Sequence, residues 1–183
     1  MAIKIQGSTV LTQDGAGYSL TNIAVGYGAL VGNTTGINNA ALGYQALYSN
    51  TTGLGNVALG NGAAANLQWG QGLMAIGYQA LYSQSNGDGG SSNQAIGYQS
   101  MYSNTIGSAN VALGYQTLYF NTTGFQITAI GYQALQNNTW GANNVGIGHR
   151  ALQNNVTGQF NVALGNFALQ NNLSSNNVAV GHQ

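Results

Sequence analysis

One motif recurs through the chain: Ala, then Val, Leu or Ile, then Gly. Its glycines are Gly26, Gly43, Gly60, Gly77, Gly97, Gly114, Gly131, Gly148, Gly165 and Gly181. Their spacing is 17 residues, apart from one interval of 20 and a last one of 16. Self-similarity at a short fixed period marks an architecture in which each repeat contacts only its neighbours. The consensus reads N-x-A-L-G-Y-Q-A-L-Y-S-N-T-T-G-x-x and covers residues 22–183. Two positions before each anchor Gly stands Ala, except at Gly146; four before stands Asn, except at Leu73 and Ile127. Ten positions after it stands a second Gly in eight repeats (Gly36, Gly53, Gly70, Gly87, Gly107, Gly124, Gly141, Gly158) and Ser175 in the ninth. The long interval arises from three extra residues within the Gly/Ser-rich stretch 87–92, which predicts a loop bulging from one rung.

A 17-residue unit with two fixed glycines and Asn-rich joints is poor helix. It reads as two short strands, N-V-A-L-G and Y-Q-A-L-Y, separated by N-T-T-G turns. In the first strand, pairs such as Val57/Leu59 and Val111/Leu113 point to one face and the Ala column to the other. One unit cannot bury its own apolar face, so stacking is expected to bury it continuously. The predicted fold class is all-β: a parallel β-solenoid, or β-roll, of about ten rungs. At the usual strand spacing, ten rungs give a body roughly 45 Å long.

The composition agrees with stacking. Only two Lys or Arg and two Asp or Glu occur in 183 residues. Like charges stacked rung on rung repel by about 0.9 kcal/mol per neighbour even in water, whereas stacked Asn or Gln hydrogen-bond as ladders. Proline, which donates no backbone hydrogen bond, is absent. The anchor glycines are expected at a bend where a Cβ would clash. A neutral chain without a basic stripe argues against nucleic acid and against an anionic membrane surface. No apolar run approaches the ~20 residues of a membrane span. The N-terminal residues do not read as a secretion signal. With no Cys, neither disulfides nor thiol chemistry are expected.

The N-x-A-[VIL]-G core resembles the head repeats of YadA-like trimeric autotransporter adhesins, which are trimers of left-handed β-rolls. The longer form "ALGYQALYSNTTG" (residues 41–53) is similar to repeats of phage tail-fibre proteins. Residues 1–20 resemble the start of marine phage fibre proteins, in which a short hydrophobic strand precedes the shaft. The resemblance alone implies the left hand of the roll, and it implies a homotrimer. It divides the chain into an attachment segment, 1–20, and a β-roll shaft or head, 21–183. It further implies a virion structural protein: a short tail or surface fibre with a host-adhesion or receptor-binding role. The alternative is a bacterial surface adhesin head or extracellular filament subunit. Expected partners are other copies of the chain, virion or fibre proteins docked through residues 1–20 and the open C-terminal rung, and host-surface glycan.

No enzymatic role and no cofactor is expected. The acids Asp14 and Asp88 lie in different regions, so no carboxylate pair suits glycoside hydrolysis. His149 and His182 replace Tyr after the anchor Gly, and Arg150 follows the first; they read as members of the aromatic column, not as metal ligands. Tyr27, Tyr44, Tyr78, Tyr98, Tyr115 and Tyr132 form one column, and Tyr48, Tyr82, Tyr102 and Tyr119 a second. Both are expected to be stacked, partly buried ladders that stabilise the roll. The second, bordering the turn, is the better sugar-stacking candidate. With Trp69, Trp140 and the 87–92 loop it makes the expected recognition surface. The N-x-[ST] sites at Asn33, Asn50, Asn121, Asn137, Asn155 and Asn172 are turn residues. The Thr pairs 34/35, 51/52 and 122/123 fall in turns and are interrupted at Gln68/Trp69, which disfavours ice binding.

Overall fold

The computed structural model describes residues 22–85 and 92–183, with the backbone of 3–5 and 8–10. Strands β1 (Ile3–Ile5) and β2 (Ser8–Val10) form an antiparallel pair. The remainder of residues 1–21, Asp14 included, and residues 86–91, Asp88 included, lie outside the described residues. Ten three-residue strands follow: β3 (Ile23–Val25), β4 (Ala40–Leu42), β5 (Val57–Leu59), β6 (Met74–Ile76), β7 (Gln94–Ile96), β8 (Val111–Leu113), β9 (Thr128–Ile130), β10 (Val145–Ile147), β11 (Val162–Leu164) and β12 (Val178–Val180). They pair in sequence order as one ten-stranded parallel sheet. Every pairing sets equivalent repeat positions opposite each other, as in Ala112↔Ala129, and the 20-residue interval does not shift the register between β6 and β7. The protein is an all-β solenoid of about nine turns, each of about 17 residues. Among the described residues there is no helix.

The second predicted strand is not one. In Y-Q-A-L-Y the Gln and Leu take left-handed conformations, with φ of 52° at Gln45 and 51° at Leu47, repeated at 51° in Gln79 and Leu81. The chain winds through this wall, so successive donors point to opposite neighbours. Gln45 N–H donates to Tyr27 of the preceding rung and Leu47 N–H to Ala63 of the following one. Each such residue costs roughly 1–2 kcal/mol of backbone strain. The inter-rung hydrogen bonds and the burial of Leu47, Leu81, Leu118, Leu135 and Leu152 offset that cost.

The burial of the sheet also differs from the sequence expectation. The Ala column (Ala24, Ala41, Ala58, Ala75, Ala95, Ala112, Ala129, Ala163) is fully buried and faces the roll interior, while Val and Leu of the same strands face outward. The reason is width. The opposite wall sends in the Leu column, and only a methyl fits between that column and the sheet. A Cβ added at Gly146 would already stand 3.0 Å from Leu135 Cδ1.

Buried asparagines replace ion pairs as the polar structure of the core. Asn110 Nδ2 donates to the Gly124 carbonyl at 2.8 Å, its Oδ1 accepts from Ile127 N–H at 3.0 Å, and its own N–H donates to Asn93 Oδ1 at 3.0 Å. Asn39 and Asn56 act in the same way, and Asn144 makes the first two of these bonds, to the Gly158 carbonyl and from Asn161 N–H. One rung departs furthest from the pattern: Leu67 and Leu73 replace both buried Asn, Ala64 replaces the core Leu, and Asn50 Oδ1 on the adjacent rung is left without a partner; on another rung Ile127 alone replaces Asn. Asn110→Ala strands the Ile127 N–H in the interior. It should cost about 2–3 kcal/mol, read as a lowered urea midpoint with unchanged m-value.

Candidate functional site

The rung geometry converts sequence columns into surface ladders. Gly at the anchor turns the chain with φ near +135°, and the next residue emerges at the corner. The first aromatic column therefore stacks. Tyr78–Tyr98, Tyr98–Tyr115 and Tyr115–Tyr132 have ring centroids 5.2, 5.2 and 5.1 Å apart, with planes within 12°. His149 continues the stack on Tyr132 at 5.2 Å, the place that the sequence assigned to it. Tyr27 and Tyr44 form a separate pair at 5.8 Å.

The second column, Tyr82–Tyr102–Tyr119, stacks at 5.3 and 5.2 Å, and Phe120 meets Tyr119 edge-on. Tyr48 is not in ring contact with it, because Ala65 occupies the intervening rung. Stacking bears on the sugar-binding expectation. An inner ring of a ladder has both π faces against its neighbours, which leaves its edge and hydroxyl to solvent. Beside the tyrosines runs an amide ladder: Gln99 Nε2 donates to Gln79 Oε1 at 3.0 Å, Gln116 to Gln99 at 3.1 Å, and Arg150 Nε to Gln133 Oε1 at 3.2 Å.

Burial raises the Tyr102 phenol above its ordinary value of 10.0, and the neighbouring Tyr119, Tyr82 and Tyr78 add to the shift. A raised folded-state pKa means that the native state holds this proton more tightly than the unfolded chain. The contribution is complete below pH 10 and is lost as pH rises through the folded-state value. Thermal stability should fall above about pH 10, and less steeply in Tyr102→Phe; melting curves from about pH 9 to about pH 11.5, which span the phenol range, would check this.

Trp69 and Trp140 occupy equivalent turn positions, each just before the second Gly, and are about half exposed. They lie four repeats apart. Residues 86–91 of the predicted contact loop are outside the described residues. Among the described residues, no three His, Cys, Asp or Glu stand close enough to hold a metal ion, and no helix is long and apolar enough to cross a membrane.

Two surface features were not singled out from the sequence. One is the outer face of the sheet. Leu42, Leu113 and Ile147 are 50, 42 and 37% exposed, in line with Val57, Leu59, Val111, Val145 and Leu164. The Val/Leu alternation carries the signal, but alternation alone does not tell which face is inside. The other is Asn61, which interrupts the Tyr column between Tyr44 and Tyr78. Comparison with protein-family models, with curated proteins and with solved structures finds no match to this chain.

Proposed function

We propose that the chain is a structural rod segment of a virion fibre, assembled as a homotrimer through the outer face of its parallel sheet. The observation that carries this reading is the apolar stripe along that face. An aliphatic strip running the length of a rod is costly to leave in water and marks an interaction surface. Its period equals the rung period, so another copy of the same chain fits it in register. The sheet brings Val, Leu and Ile to this face at every rung, broken only by residues as mild as Ala40, Gln94 and Thr128. The low charge suits a body that stacks and packs against itself. A host-adhesion role would use the turn surfaces that remain outside such an interface.

Antibody against residues 22–183, applied to intact particles from an infected culture, tests the placement. Label on projecting fibres supports it, and its loss on deleting residues 1–20 supports their attachment role. Label confined to the bacterial envelope would replace this reading with that of a cell-surface adhesin.

A further inference from the structure

We propose that Tyr44, Asn61 and Tyr78 form a slot that binds one pyranose ring of a neutral saccharide, with the sugar completing the aromatic ladder. The three residues sit at equivalent positions of successive rungs. Gly62 N–H donates to Tyr44 O and Gln79 N–H to Asn61 O, both at 2.8 Å, so the backbone is regular through the gap. Tyr44 stacks on Tyr27 and Tyr78 on Tyr98, each on its far side. The remaining face of each borders the Asn61 rung, where the side chain is an exposed amide. Two rungs separate the rings by roughly 10 Å, the thickness of one inserted ring with contact on both sides.

The molecule contains its own comparison. Asn166 interrupts the same column between His149 and His182, but there the site is closed. Asn166 Oδ1 accepts from His149 N–H at 3.1 Å, and the following residue, Phe167, lies edge-on to His149 at 4.9 Å and His182 at 5.8 Å. After Asn61 the following residue is Gly62, which supplies no ring. A Cβ at Gly62 would stand 3.4 Å from the Tyr82 ring, so that ring walls the side of the slot nearer the second column.

The chemistry selects the ligand. Two phenol faces suit the C–H face of a sugar, and the phenol hydroxyls and Asn61 amide suit its hydroxyls. The one charged residue of the described shaft, Arg150, is five repeats away, so the slot favours an uncharged ring. This reading does not depend on the rod belonging to a particle.

The test is a titration of the full-length protein with methyl glycosides of glucose, galactose, mannose and N-acetylglucosamine, followed by NMR of the Asn61 side-chain amide and the Tyr44 and Tyr78 rings. At least one glycoside should shift all three with millimolar affinity. Asn61→Tyr fills the slot with the ring that the ladder otherwise carries, so it should keep the fold and weaken binding at least about tenfold. No response to any of the four, or equal binding by Asn61→Tyr, overturns the proposal. A response to N-acetyltyrosinamide with none to the glycosides also overturns it, and assigns the slot to an aromatic side chain of a protein partner.

Discussion

Gly114→Ala should destabilise the rod by about 3–5 kcal/mol, among the largest effects that a single methyl can have in a folded protein. Two terms combine. Gly114 has φ +139°, a region open essentially to glycine alone. The added Cβ would stand 2.8 Å from the Gly131 carbonyl carbon, closer still to its oxygen, and 2.9 Å from Thr117 Oγ1. The clash is with backbone of the next rung, so relief requires the rungs to separate. The same collision awaits at Gly43, Gly60, Gly77, Gly97, Gly131 and Gly148, each against the carbonyl of the next anchor. Gly72 provides the contrast. Its φ is +63° and nothing lies within 4 Å of an added Cβ. Gly72→Ala should cost only about 1–2 kcal/mol, and Gly72→Asn less. Urea midpoints of the three variants would separate stacking clash from backbone strain.

The second large effect is on assembly. Leu113→Lys combined with Ile147→Lys should weaken association by at least about a hundredfold, since each charge enters an apolar interface without a partner. Both positions are more than a third exposed within the single chain. The fold of an isolated chain should therefore tolerate them, with an unchanged far-ultraviolet circular dichroism spectrum. The melting temperature should lose its dependence on protein concentration, because assembly stabilises only chains that associate. An opposite outcome, intact assembly with both lysines, would move the interface to another face. Ala112→Lys would not be informative, because Ala112 is fully buried inside the roll and its replacement would destroy the fold.

The period, the rung count and the parallel stacking were legible from glycine spacing alone, because the same carbonyl-to-glycine contact recurs at each turn and permits no slip. The role of the buried Asn column was legible in part, from its regularity. Two things were not. The Y-Q-A-L-Y segment alternates like a strand, yet Gln45 and Leu47 adopt left-handed conformations that propensity disfavours; inter-rung hydrogen bonds to Tyr27 and Ala63 override the local preference. The direction in which the sheet faces was not legible for a related reason. Alternation tells which residues share a face but not which face is inside. Here the large side chains on the opposite wall decide it, by leaving room for Ala alone. At the candidate slot, the missing Tyr at Asn61 was visible in the column. Its meaning depended on ring stacking on either side and on the contrast between Gly62 and Phe167, which required coordinates.

The claim that joins these observations is that the outward aliphatic face is covered by other copies of the chain. Sedimentation equilibrium of the 183-residue protein at neutral pH measures it most directly. Three chains of 18.8 kDa predict a single species of about 56 kDa. A species of 18.8 kDa that persists as concentration is raised would contradict the account.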